Sequence, residues 1–537
     1  MGELIHAGRR QPLLPGRTLF EQTDELATVV PASCRFSGRC RECVVAVTAG
    51  AEALSAPTGP EAFLRPPYRL ACQARVERAD VDVEIAVLRR RLQIVATSTG
   101  APAELDPVVT RQGDEVRRDS KRLGTFRGVI YGVALDLGTT TIVFELVDLE
   151  TGVTVETVAL ENPQRFGGSD VISRIAYDGG PYRGELRHAV RRALNHELKR
   201  IYSERGLPRQ AVCEVVVVGN ATMRDLFFGL DVSSIGLRPF RSLTEHEYRA
   251  GTRPTTAITA LAHELGILVN PQATVYGGPL IGCHVGADVA ADLLSVDFEA
   301  GEGPQMLVDV GTNSEVVVGH RGRYLAASSP AGPAFEGGLI RHGMQAAEGA
   351  IQAIRLDGGT IAWQTIADLP PLGICGSGLV DALAVARRLG WMDAVGRFAG
   401  GARELPIAPE HGIVLTREDV SHLAQAKAAN ASGQALLLER LGLAPGDLRT
   451  VFLAGGFAQY IDVRNAIDIG FMVPVPEERV VKLGNASLRG ARAMLLSGRR
   501  RAALDRFVRR IEHVELEESP RFFDRFVDGC RFTPIVV

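Results

Sequence analysis

Cys34, Cys40 and Cys43 fall within ten residues, and Cys72 follows after a gap of 28. Four thiolates are the usual ligands of a 2Fe–2S cluster. The spacing Cys-x5-Cys-x2-Cys places three of them on one tight loop, and Ser37-Gly38-Arg39 lets that loop fold back. Backbone amides can then point at the sulfurs. A structural zinc site is the alternative that a four-thiolate set leaves open. Zinc ribbons use two Cys-x2-Cys knuckles, whereas Cys72 stands alone in Arg69-Leu70-Ala71-Cys72-Gln73. The other cysteines, at 213, 283, 375 and 530, are scattered and read as small buried hydrophobes or isolated thiols. Cys283-His284 with Asp288 reads as the join of a Gly-rich loop and a helix, with Asp288 a minor candidate for magnesium or water positioning.

A second chemistry is written twice. Asp136-Leu137-Gly138-Thr139-Thr140-Thr141 follows an apolar strand, and so does Asp309-Val310-Gly311-Thr312-Asn313-Ser314. Glycine brings backbone N–H groups close to a phosphate, and the hydroxyls add donors. An Asp at the strand end can hold magnesium through water or orient an attacking water. Gly455-Gly456 ends a strand at Val451–Ala454 and offers bare backbone for an adenine or ribose. Gly376-Ser377-Gly378 is a loop-to-helix junction able to supply helix N-terminal amides. No Gly-Lys-Ser/Thr occurs, so there is no Walker A loop.

The elements that must position these residues are legible in outline. Residues 1–92 form one unit, with a capping box at Thr18–Glu21, strand 44–47 and an alternating strand 81–85. Residues 93–128 are polar and charged and read as a linker carrying some short structure. From 129 the chain is α/β, with a middle region to 206 that holds the first hairpin and a nucleotide-binding region over 207–537. Composition is that of a globular protein, with 46% hydrophobic and 23% charged residues. A net charge of −3 gives no electrostatic case for nucleic acid or an anionic membrane. No apolar run nears the roughly 20 residues of a membrane span, and the first residues do not read as a secretory signal. The expected location is cytoplasmic.

Residues 1–92 resemble a 2Fe–2S ferredoxin domain, with RLACQ as its last-ligand segment. The two hairpins and LAGGFA resemble the phosphate and adenosine loops of the acetate kinase, sugar kinase, Hsc-chaperone and actin (ASKHA) superfamily. Joined in one chain, they resemble the reductive activators of corrinoid proteins. Further segments carry that likeness: Asn162-Pro163-Gln164, Gly168–Ile175, Gly219–Met223, Ser329–Gly337 and Gly484–Ser487.

The resemblance implies a β-grasp ferredoxin-like domain, a linker and an actin-like, RNase H-like duplicated ATPase fold. It implies a 2Fe–2S cluster on Cys34, Cys40, Cys43 and Cys72, with ATP and Mg2+ at the hairpins. Asp309 and Asp136 would be catalytic. Gly138, Thr139, Thr140, Thr141, Gly311, Thr312, Asn313, Gly376, Ser377, Gly378, Gly455 and Gly456 would bind nucleotide. The implied activity is ATP-driven one-electron reduction of Co(II) to Co(I) in a corrinoid protein of a methyltransferase system. A low-potential electron donor and a homodimer come with it. Plant-type clusters sit near roughly −400 mV, and the cobalt couple lies lower, so the transfer is uphill. Other readings are an ATP-driven electron donor to a different low-potential enzyme, a redox-regulated small-molecule kinase, and an ATP-binding scaffold.

Overall fold

The computed structural model describes residues 2–6, 8–23, 30–32, 34–88, 104–282, 284–357, 360–456 and 458–537. Cys283, Phe457 and part of the expected linker, residues 93–103, lie outside the described residues.

Near the N-terminus, β1 (Glu3–His6), β2 (Arg9–Pro12), β3 (Val44–Ala49), β4 (Tyr68–Leu70) and β5 (Val83–Val87) form one sheet in the order β2-β1-β5-β3-β4. Terminal strands β1 and β5 pair in parallel at its centre, Leu4 beside Val83, which is the β-grasp arrangement. Val83, Ile85 and Val87 are buried and Glu84 and Ala86 exposed, the period-2 pattern of a sheet with one face on its core. The cluster loop links the helix region after Leu19–Thr23 to β3, and Cys72 follows β4 directly.

Three short antiparallel strands, β6 (Val109–Gln112), β7 (Glu115–Arg118) and β8 (Lys121–Thr125), make a sheet within the expected linker. Just before it, the Asp106 N–H donates to the Leu496 carbonyl at 2.8 Å, so this segment is fastened to the C-terminal part of the chain.

Next come β9 (Tyr131–Leu137), β10 (Thr141–Asp148), β11 (Thr154–Glu161), α1 (Val171–Asp178), α2 (Glu185–Arg205), β12 (Val212–Val218), α3 (Ala221–Phe228), β13 (Ile258–Leu261) and β14 (Thr274–Gly277). The sheet order is β11-β10-β9-β12-β14-β13. The 206/207 boundary falls inside this unit, because β12 pairs in parallel with β9 and brings Val218 beside Asp136. Every residue of β12 is buried, as expected of a parallel strand covered on both faces.

After α4 (Ala287–Ser295), the pattern repeats. β15 (Gln305–Val310), β16 (Ser314–His320), β17 (Arg323–Ser329), α5 (Gly376–Arg388), β18 (Thr450–Ala454), β19 (Val480–Gly484), α6 (Ala486–Leu496) and β20 (Ile511–His513) follow in chain order. Their sheet runs β19-β18-β15-β16-β17-β20. Both sheets contain a three-two-one antiparallel run followed by two parallel strands, with β13 added beyond β14 in the first and β20 beside β17 in the second, so the chain holds two copies of one design. Each copy ends its first strand on an acidic residue and a Gly/Thr turn, Asp136 in one and Asp309 in the other. Small apolar positions let the halves meet closely. At Gly490 in α6, a Cβ would lie 2.0 Å from the Ala291 carbonyl oxygen of α4.

Candidate functional site

In the cluster loop, Arg35, Phe36, Gly38 and Arg41 take left-handed φ values of 49°, 64°, 73° and 56°. These turns curl the chain so that amides face inward. The N–H groups of Cys40 and Arg39 bond to the Cys34 sulfur, and the N–H of Gly38 bonds to that of Cys72. Gln73 Nε2 adds a donor 3.4 Å from Cys72 Sγ and ties back to the Phe36 carbonyl at 2.8 Å. Burial pushes Cys34 up, but the amide bonds outweigh it and hold the thiol at about 7. Cys72 is lowered to about 6, first by the hydrogen bond from Cys43, against its burial. Cys43 is raised, as the donor of that bond and by burial.

The sulfurs therefore pair, Cys34 with Cys40 and Cys43 with Cys72. Among the described residues no three ligating side chains converge on a single metal position. Two pairs of thiols suit the two irons of a 2Fe–2S cluster. The donor set, with amides aimed at its sulfurs, fits the cluster.

The Cys40 flank of this loop rests on the first α/β half. Arg192 donates to the Cys40 carbonyl, Arg41 pairs with Glu185, and Arg192 lies 3.6 Å from Glu42. Tyr177 Oη donates to the Phe63 carbonyl at 2.7 Å, and the Phe63 and Phe166 rings meet edge to face at 5.6 Å.

The two hairpins face each other. Glu336, on a single turn after β17, accepts hydrogen bonds on one oxygen from Thr140 Oγ1 at 2.8 Å and Thr312 Oγ1 at 2.6 Å. The two hydroxyls are 3.4 Å apart. Behind the first hairpin, Asn220 Nδ2 donates to Thr139 Oγ1 at 3.0 Å, and Asn162 Nδ2 to the Gly138 carbonyl at 2.8 Å. Fully buried Arg174 donates to the Thr139 carbonyl at 2.7 Å and the Gly168 carbonyl at 3.1 Å. Gly138 is required, since a Cβ there would lie 2.6 Å from the Thr141 carbonyl oxygen. Gly311 donates to the Asn313 carbonyl at 3.0 Å to close the second hairpin.

Gly219 and Gly455 occupy matching places in the two copies, with φ of 152° and 113°. A Cβ would strike the carbonyl oxygen of Leu137 at 2.6 Å in one and of Val310 at 2.2 Å in the other. The next residue differs. Asn220 fills its space, whereas nothing lies within 4 Å of a Cβ built on Gly456.

Gly376, Ser377 and Gly378 are placed differently from the hairpins. All three are buried at the start of α5. The Ser377 hydroxyl donates to the Gln352 carbonyl at 2.7 Å, and a Cβ on Gly378 would lie 2.3 Å from the Ile351 carbonyl oxygen. These glycines seat α5 against the strand Ala350–Asp357.

Acidic groups crowd the cleft between the hairpins. Burial pushes Asp136 up to about 7, opposed by a 2.9 Å hydrogen bond from Asn485 Nδ2 and aided by the Asp309 charge. Burial and Asp309 raise Asp288 to about 7. Burial raises Asp309 to about 6, opposed by a hydrogen bond with Asp292. Asp292, Glu315 and Glu336 are raised too, burial first in each case. Sequence reasoning missed Asp292, Glu315 and Glu336 and gave Asp288 only a minor place.

A folded chain whose carboxyls titrate near 6–7 binds protons that the unfolded chain sheds from about pH 4 upward, so stability falls as pH rises through that window. Without a divalent cation, melting temperature is expected to fall between about pH 5 and pH 8. Added magnesium is expected to restore more of it at the higher pH. Thermal melts with and without magnesium check this; a restoration independent of pH would contradict it.

Comparisons with known proteins agree with this architecture. Family models described as a 2Fe-2S iron-sulfur cluster binding domain, the RACo middle region, and the C-terminal domain of RACo, the ASKHA domain, match residues 8–77, 131–300 and 303–535. The corrinoid activation enzyme RamQ of Eubacterium limosum is 32% identical over 434 residues, covering 75% of this chain and 70% of that protein. The [Co(II) methylated amine-specific corrinoid protein] reductase of Methanosarcina barkeri is 27% identical, covering 73% and 75%. A solved reductive activator for corrinoid, iron-sulfur protein superposes with a TM-score of 0.73 at 27% identity, over 99% of both chains. The fold is a ferredoxin-like domain joined to an ASKHA-type duplicated α/β unit. Among the described residues no helix is long and apolar enough to cross a membrane.

Proposed function

The chain belongs to the family of reductive activators of corrinoid proteins, and on that premise we propose that it uses ATP to drive one-electron reduction of a corrinoid protein's cobalt from Co(II) to Co(I). The observation that carries this is the union, in one chain, of an amide-lined loop of paired thiols and two facing Gly/Thr hairpins. When bound, a 2Fe–2S cluster supplies a one-electron carrier. Cys34, Cys40, Cys43 and Cys72 hold it, and the N–H groups of Gly38, Arg39 and Cys40 stabilise negative charge on the sulfurs.

At the cleft, Gly138, Thr139, Thr140, Gly311 and Thr312 bind the phosphates of ATP, with Thr141 and Asn313 flanking them. Gly455 and Gly456 receive the adenosine. Asp309 and Asp136 would hold Mg2+ and orient the water that attacks the terminal phosphate, and a cation beside them would favour their ionised forms against burial. ATP can shift the activator between states only by binding one more tightly than the other. The Thr140–Glu336–Thr312 bridge is where such states would differ. The electron comes from a low-potential donor, the corrinoid partner belongs to a methyltransferase system, and the working form is a cytoplasmic homodimer.

The test is Co(I) absorbance from a Co(II) corrinoid protein mixed anaerobically with this protein and a low-potential reductant, with and without ATP. Co(I) is expected only with ATP, and is expected to be lost in Cys72→Ala. No Co(I) from a cluster-loaded protein across several corrinoid partners would overturn the reading.

A further inference from the structure

We propose that the open edge of the cluster loop, at Cys34, is the docking face for a redox protein with an acidic surface. The inference rests on reading the four thiols as cluster ligands, and it adds the chemistry of the electron partner. Cys40, Cys43 and Cys72 are 5% exposed or less, whereas Cys34 is half-buried. The Cys40 flank faces α2 across a cavity of about 460 Å³ lined by Arg39, Cys40 and Arg192, with Cys40 itself only 5% exposed. The cluster's approach to solvent is therefore at Cys34.

That edge carries exposed Arg35, Phe36, Ser37 and Arg39. Phe36 is 52% exposed and leans on Phe20 with ring centres 4.6 Å apart, an apolar side chain on the same short loop as exposed Arg35 and Arg39. Among the described residues, the acids Glu185, Glu42 and Glu21 are engaged elsewhere. Glu185 pairs with Arg41, Glu42 lies beside Arg192, and Glu21 accepts from the Thr18 N–H and hydroxyl. Arg35 holds a left-handed φ of 49° that glycine would adopt without strain. Arginine at this turn adds a charge at the rim. The chain as a whole carries −3, so the cationic rim is a local feature. Complementary fields of this kind speed encounter and fix orientation. One electron leaves the partner's reduced centre and takes the cluster from its 2+ to its 1+ state; no bond forms and no proton moves.

The experiment uses the cluster-loaded protein, wild type and the double variant Arg35→Glu/Arg39→Glu. The reduced protein is oxidised by ferricyanide and by hexaamminecobalt(III), each taking one electron, at low and high salt. In the wild type, salt is expected to slow the anionic oxidant and speed the cationic one. In the variant, the ferricyanide rate constant at low salt is expected to fall about tenfold, and the hexaamminecobalt(III) rate to rise. A changed cluster potential would move both rates the same way, so opposite responses isolate the surface charge. Calorimetric binding of flavodoxin, as an acidic redox protein, is expected to weaken about tenfold in the variant and to recover in Arg35→Lys/Arg39→Lys. Salt-independent rates in the wild type, or equal flavodoxin affinity in all three proteins, would overturn the proposal. A wild type whose visible absorption shows no cluster overturns the underlying reading instead.

Discussion

Asp309→Asn is expected to lower ATP hydrolysis by about 10²–10³-fold, the scale of losing one preorganised charge at a reacting centre, while cluster absorption stays unchanged. Asp309 ends β15, and its charge is felt by Asp136, Asp288, Asp292 and Glu315. Burial raises it to about 6, beside Asp136 and Asp288 at about 7. Asparagine keeps the shape and one acceptor but removes the charge that would hold a hydrated cation. The loss should fall in kcat rather than in nucleotide binding alone. Steady-state hydrolysis beside ATP affinity decides it: unchanged kcat would remove Asp309 from the chemistry. Because the thiol loop lies in another domain, Co(II) reduction should fail with the cluster present, the converse of Cys72→Ala.

Glu336→Ala is expected to raise the KM for ATP by about 10–100-fold and to lower hydrolysis with it. A hydroxyl hydrogen bond to a carboxyl contributes about 0.5–3 kcal/mol, more where the carboxyl is charged, and two of them converge on Glu336 from opposite halves. Without it, Thr140 and Thr312 lose the acceptor that holds the hairpins face to face. Glu336→Gln keeps an acceptor oxygen and should lose much less. Equal effects of alanine and glutamine would point to the charge instead of the bridge. No effect of either would remove the bridge from the nucleotide cycle.

What could be read from the sequence follows the range of the interactions. The cysteine set was legible because three thiols sit in one loop and the fourth lies just after a strand. Both hairpins were legible because an Asp at a strand end followed by Gly-Thr is a local pattern. The acid cluster was not, because Asp288 and Asp292 come from a helix, Glu315 from a strand and Glu336 from a turn, and only the packing of two sheets brings them together. At Gly376-Ser377-Gly378 a glycine pair at a helix start looks the same in sequence whether it admits a phosphate or a neighbouring strand; the structure adds that the Ile351 carbonyl lies against Gly378. The long helix ending at Gly206 looked like the close of a module, yet the next strand pairs with β9. Parallel pairing across such a crossover leaves no local mark.

The matched glycines at 219 and 455 bear on the polarity of the cleft. A duplicated unit folded onto its twin offers two equivalent floors, but a nucleotide has a head and a tail and can honour only one orientation. Asn220 breaks the tie. It lies across its own floor to brace Thr139, whereas among the described residues a Cβ on Gly456 would meet nothing within 4 Å, and the same half braced by Asn220 contacts the ferredoxin domain through Phe166 and Tyr177. On the proposed placement of the nucleotide, one twin is a mount and the other a berth, so a chain with its halves exchanged in order would present its berth to the wrong neighbour.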